Sequence, residues 1–154
     1  MRNRITLAVV SLAAAGALSA AFIQPRAEAA VPPADVSGSY LGKGSSKNNV
    51  IVDEEPGRGG FAVGAFASQE GNDLFLTLII SPPGEEPQFW ELYGRVGNGN
   101  FWAEGDVGDG ERVVVSGTAK GAPGKIALKG DGVFLAPTHV SDLKFNVKQS
   151  QLVE

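Results

Sequence analysis

The sequence predicts an all-β fold: an antiparallel up-and-down meander of about eight or nine strands, forming a small closed or flattened β-barrel, with a β-sandwich as the alternative. Three observations predict it. Glycine accounts for 21 of the 154 residues and recurs every few positions from Val36 onward. Between the glycines, runs of β-branched and aromatic residues alternate apolar with polar, the period of a strand with one buried face. No stretch carries the 3.6-residue period of an amphipathic helix. An antiparallel sheet of this many strands twists and curls until it closes, which removes its edges.

The chain opens with Arg2 and Arg4, then an apolar or small run from Ile5 to Ile23, then a polar break at Gln24-Pro25-Arg26 leading into Ala27-Glu28-Ala29. That is the layout of an export signal, with cleavage expected after Ala29. An uncleaved anchor is the alternative, because the apolar run is almost long enough to span a bilayer. The expected organisation is a signal peptide over 1–29, an extended leader with Pro32-Pro33 over 30–35, and one barrel domain over 36–150, secreted or periplasmic. The chain has no cysteine, which excludes disulfides and thiolate metal sites, so packing has to hold the domain together. The formal net charge is −4, and it becomes more negative once the arginines of the leader are removed. An acidic domain argues against nucleic acid and anionic membrane surfaces as partners. The strands are short and interrupted by glycine, with no visible aromatic girdle, so no stable membrane insertion is expected after signal removal.

Strands are expected over 36–44, 48–54, 60–69, 73–81, 88–97, 100–108, 111–121, 125–135 and 138–148. Turn chemistry then sets their register. Asn98-Gly99 is the preferred pair for a two-residue type I′ turn. It places Val96 opposite Phe101, Gly94 opposite Ala103, Leu92 opposite Gly105 and Trp90 opposite Val107, an apolar face throughout. The reverse face pairs Arg95 with Trp102, Tyr93 with Glu104 and Glu91 with Asp106. A slip of one residue would mix the two faces. A turn at Gly71-Asn72 sets Ala67, Ala65 and Val63 opposite Leu76, Leu78 and Ile80. A turn at Pro123-Gly124 sets Ala119 opposite Leu128 and Val113 opposite Phe134. A three-residue loop Gly108-Asp109-Gly110 brings Val113 and Val115 beside Gly105 and Ala103. Across the longer loop from Ser81 to Gln88, Ile80 is expected to meet Trp90 and Leu78 to meet Leu92. Leu143, Phe145 and Val147 extend the same face. Glycines on it (Gly94, Gly105, Gly117, Gly130, Gly132) suit sharp bending around a narrow interior. With Gly38-Ser39-Tyr40 at its start, the meander resembles the calycin-type barrels at the level of the fold, a resemblance that implies no particular site residue.

Residues 88–107, QFWELYGRVGNGNFWAEGDV, hold both tryptophans around the Asn-Gly turn. Trp90 and Phe101 fall on the apolar face and are expected in the core. Trp102, Tyr93 and Arg95 fall on the other, with Phe75 expected beside Arg95 and Phe66 beside Thr77. Phe66, Phe75, Tyr93, Arg95, Trp102 and Glu104 therefore form the candidate binding patch. Its aromatic faces suit apolar or sugar surfaces, and Arg95 and Glu104 would orient a ligand. The competing explanation is cross-strand stabilisation, with Arg95 stacked on Trp102 for ~0.5–1 kcal/mol.

No catalytic or metal-binding constellation emerges. His139 is the single histidine, and reads as a strand-start or loop residue. Ser116 lies within a strand, without the strand-to-helix turn that exposes a nucleophile. Asp106, Asp109 and Glu111 in their glycine loop give a faint calcium pattern that lacks the full ligand spacing, and Asp109-Gly110 is explained by turn geometry. Asp53-Glu54-Glu55 and Glu85-Glu86 read as solvated loop charges. The expectation is an exported, non-enzymatic barrel without cofactor that binds a small apolar ligand, a glycan or a protein. A structural or interaction protein of the envelope or extracellular matrix is the alternative. A lined cavity inside the barrel would mark the first; a solid interior with an exposed aromatic patch would mark the second.

Overall fold

The computed structural model describes residues 35–50 and 57–150. The expected signal peptide, all of the leader except Asp35, and Asp53-Glu54-Glu55 lie outside the described residues. Eight strands are present: β1 (Gly38–Val50), β2 (Arg58–Glu70), β3 (Asp73–Ser81), β4 (Gln88–Gly97), β5 (Asn100–Gly108), β6 (Glu111–Lys120), β7 (Ala127–Leu135) and β8 (His139–Gln149). Each pairs antiparallel with the next, and β8 returns to pair with β1, closing the barrel. The meander is as expected, and closure decides against the sandwich. The two expected strands 36–44 and 48–54 are one: Gly44-Ser45-Ser46-Lys47, a loop-like composition, stays extended because β2 and β8 satisfy its backbone on both sides.

The turns set the register where their chemistry is specific. Asn98 (φ 52°) and Gly99 (φ 73°) occupy the central positions of the β4–β5 hairpin, and Gly97 faces Asn100. Gly71, at φ 60°, opens the β2–β3 turn, and Val63, Ala65 and Ala67 face Ile80, Leu78 and Leu76. The Lys125 amide donates to the Ala122 carbonyl at 2.9 Å around Pro123-Gly124, and Ala119 faces Leu128.

Three details differ from expectation. The β5–β6 connection is a two-residue turn at Asp109-Gly110 with a bulge after Asp106, not a three-residue loop, although Gly105 and Ala103 still face Val113 and Val115. Across the longer β3–β4 loop the register is displaced by two, so Leu78 faces Trp90 and Leu76 faces Leu92. That loop has no turn type to fix its length, and an even displacement leaves every side chain on its own face. The β4–β5 ladder ends at Tyr93–Glu104, so Leu92–Gly105, Trp90–Val107 and Glu91–Asp106 are not paired. Beyond it the bare Gly105 backbone packs against the Glu91 carbonyl.

The interior is solid along most of its length. Val63, Leu76, Leu78, Leu92, Ala103, Val113, Val115 and Val147 are fully buried. Its narrowness depends on close backbone crossings. A Cβ at Gly94 would strike the Trp102 carbonyl, and one at Gly117 the Lys129 carbonyl. One end is stoppered. Val36 and Ile126 are buried there, and the Tyr40 hydroxyl donates to the Val36 carbonyl at 2.7 Å. Gln69 accepts from the Val36 amide at 2.9 Å, while Gln149 accepts from the Ile126 amide and donates to the Ser37 carbonyl, both at 3.1 Å. Burial of the Tyr40 phenol, reinforced by the nearby Asp35 carboxylate, pushes its pKa up to about 12.

Two outcomes follow from this geometry. Gly94→Ala should destabilise the barrel by about 1–3 kcal/mol or more, because the clash is with backbone. Gly97→Ala, where a Cβ would meet nothing within 4 Å, should stay within about 0.5 kcal/mol; urea denaturation of both variants checks this. The raised pKa of Tyr40 gives a second. A neutral phenol is favoured in the fold, so its contribution is fully present below the unfolded value of about 10 and is lost as pH rises towards about 12. The stability of the wild type should therefore fall more steeply than that of Tyr40→Phe over that window, as melting curves at stepped alkaline pH would record.

Candidate functional site

The expected patch residues all lie on the outer wall of β2–β5. Tyr93 is 63% exposed, Phe66 50% and Trp102 44%. The Phe75 and Tyr93 rings meet at a centroid distance of 4.9 Å. Phe75 is therefore beside Tyr93 and not Arg95, a consequence of the displaced β3–β4 register. Phe66 faces Thr77 as expected. Arg95 and Trp102 are register partners, but the Arg95 guanidinium turns to the opposite neighbour, with Nε 3.6 Å from the Asp73 carboxylate. A carboxylate in reach displaces the expected stacking on the indole. Glu104 is committed to Arg112, Oε2 to Nη2 at 2.7 Å. The wall thus brings together Phe75 and Tyr93, and holds its two charged members in exposed ion pairs.

None of the expected patch residues lies at the open end of the barrel. There the last residues of β1, β3, β5 and β7 meet the first residues of β2, β4, β6 and β8 around a cleft of about 770 Å³. Trp90, 6% exposed, forms part of its base, with its indole stacked on Phe134 at 5.5 Å and 19°. Phe134 in turn meets the His139 ring at 5.7 Å. Phe61 and Val107, packed on the core below, add to the apolar lining together with Ile80 and Leu143. The polar lining is equally defined. The buried Ser141 hydroxyl donates to Asn48 Oδ1 at 2.7 Å, and the Asn48 backbone N–H donates to the Gly57 carbonyl at 2.8 Å. Gln88, Arg58, Glu85 and Glu111 surround the opening.

His139 opens β8, so the strand-start reading of this residue holds, yet its ring contributes to the cleft wall. Among the described residues, no group of three or more His, Asp or Glu side chains is placed to share a metal ion. The cleft is about the size that small-molecule sites occupy, and it combines an aromatic floor with a few fixed hydrogen-bonding groups. Below it the core is packed solid. The barrel therefore has both a lined cavity, confined to one mouth, and an exposed aromatic wall.

No protein-family model and no curated protein matches the chain. Among solved structures it is similar to isotype 1 transferrin binding protein B from serogroup B Neisseria meningitidis, with a TM-score of 0.53 and 15% identity. The likeness covers 79% of this chain and 27% of that one, so the chain spans about a quarter of that protein's length. It is also similar to Rv2717c of M. tuberculosis, with a TM-score of 0.44, 14% identity, and 75% and 92% of the two chains covered. The first likeness is one of fold.

The two tryptophans should separate in mutagenesis. Trp90→Ala removes a buried ring from the cleft floor and should cost ~3–5 kcal/mol. Trp102→Ala removes an exposed one and should cost less than about 1 kcal/mol. Melting curves of the two variants test the assignment of faces.

Proposed function

We propose that the protein is an exported, non-enzymatic binding barrel whose open mouth receives a small ligand. One observation carries this: one mouth of the barrel opens into a cleft floored by the Trp90–Phe134 stack and edged by the Ser141–Asn48 hydrogen bond. An aromatic floor offers dispersion contact over a wide area, and the fixed hydroxyl and amide give orientation. Export rests on the leader, and no helix of the described residues is long and apolar enough to cross a membrane. The outer wall carries exposed Lys43, Lys47, Glu91, Lys144 and Lys148, the opposite of a lipid-facing band. In transferrin binding protein B a similar barrel belongs to a binding protein by name, which fits the same reading.

A second reading, a docking face for a protein or glycan, is favoured by the exposure of Phe66 on β2, Tyr93 on β4 and Trp102 on β5. The neutral fluorescent probe N-phenyl-1-naphthylamine distinguishes the two. It should bind the wild type with one-to-one stoichiometry, and Phe134→Ala should weaken it by about tenfold, the loss of one stacking contact, while Trp102→Ala leaves it unchanged. Binding lost in Trp102→Ala and kept in Phe134→Ala would move the site to the outer wall.

A further inference from the structure

The net charge of −4 conceals a segregation of charge. On the outer wall of β8, β1 and β2 stand Lys43, Lys47, Arg58, Lys144 and Lys148, all exposed. Two acids share these strands: Glu70 at the far end of β2, and Asp142, which accepts a hydrogen bond from Asn49 at 2.8 Å. Lys144 lies 3.9 Å from Asp131, and Lys43, Lys47, Arg58 and Lys148 make no ion pair among the described residues. The acidic side chains Asp73, Glu91, Glu104 and Asp106 are on β3–β5. Among the described residues the β8–β1–β2 wall is therefore locally basic, although the chain as a whole is acidic.

A second cleft of about 550 Å³ lies on this wall, lined by the cations Lys47, Arg58 and Lys144 and by the carboxylate of Asp142, which faces Lys47 across the β1–β8 pair. It shares Ser46, Arg58, Gly59 and Gly60 with the mouth. The two glycines differ in kind from Gly94 and Gly117. A Cβ at Gly59 would come no closer than 3.8 Å to Ser46 Oγ, and one at Gly60 no closer than 3.8 Å to the Gly44 carbonyl. Both distances are ordinary contact, and neither residue has a positive φ. Among the described residues, neither packing nor backbone conformation requires glycine here. Their effect is a saddle of bare backbone that joins the mouth to the basic cleft.

Building on the mouth as a ligand site, we propose that the two clefts form one continuous site for an amphiphile, with an apolar body on the Trp90–Phe134 floor and an oxyanion head group between Lys47, Arg58 and Lys144. The charges around the mouth give the head its direction. Glu85 and Glu111 stand on the β3–β4 loop and β6, and Arg58 stands at the saddle, so an anion is repelled from one side and drawn over the other. A phosphate and a carboxylate head share this chemistry; either would be held by charge-assisted contacts in a partly exposed setting.

The test is displacement of N-phenyl-1-naphthylamine by decyl phosphate, decanoate and the neutral decyl glucoside, each below its micelle concentration, with inorganic phosphate as a head-group control. Decyl phosphate should bind about tenfold more tightly than decyl glucoside, the sum of two or three exposed ion pairs. The preference should vanish in Lys47→Glu/Lys144→Glu and in about 1 M salt, where the Debye length is about 3 Å. Gly60→Val, which fills the saddle, should weaken decyl phosphate by a larger factor than it weakens N-phenyl-1-naphthylamine. The decanoate arm assigns the head as carboxylate or phosphate. Equal affinities for the charged and neutral amphiphiles, or a preference that survives in the double variant, would overturn this proposal and leave the mouth reading in place. Failure of N-phenyl-1-naphthylamine to bind at all would remove the mouth reading, and this one with it.

Discussion

Everything in the molecule depends on the seam between the first strand and the last. β1 pairs with β8 from Tyr40–Gln149 to Val50–His139, and on its other edge with β2 from Gly38–Ala67 to Lys47–Arg58. Without that seam the sheet would have two open edges and its apolar face would be uncovered on one side. In a chain without cysteine, the seam must be held by backbone hydrogen bonds and by the side chains that meet behind it, Val147, Phe145 and Leu143. It also gives rise to both ends: its Tyr40–Gln149 end anchors the stopper, and its Val50–His139 end contributes to the mouth.

The fold was legible because its information is local. Asn98-Gly99 specifies a turn with both φ values positive, and alternation on either side of it fixes which residues face inward. The same held at Gly71-Asn72 and Pro123-Gly124. Legibility failed where local chemistry is silent. The β3–β4 loop contains Pro82-Pro83-Gly84 but no turn type that sets its length, so its register was off by two residues. β1 was divided because Gly-Ser-Ser-Lys resembles a loop until partners on both sides are known.

The candidate patch was legible as a set of outward positions; what those side chains engage was not. Arg95 and Glu104 each had two possible neighbours, and the choice of Asp73 and Arg112 depends on distances across three strands. The mouth was missed for a different reason. Trp90 and Phe134 were correctly placed on the inward face, and inward was taken to mean core. In a closed meander the ends of odd strands and the starts of even strands gather at one end. Sorting the inward residues by end would have collected Phe61, Trp90, Phe134 and His139 around one opening. The basic wall escaped because a single net charge averages over opposite faces, and only closure brings Lys144 and Lys148 of β8 next to Lys43 and Lys47 of β1.

Among the described residues, the stopper and the packed core close the barrel at the Tyr40 end, and the cleft opens at the other. Whatever enters the mouth must leave by the same way, and a newcomer cannot push an occupant out from behind. An occupant of the mouth would be approached from that end alone.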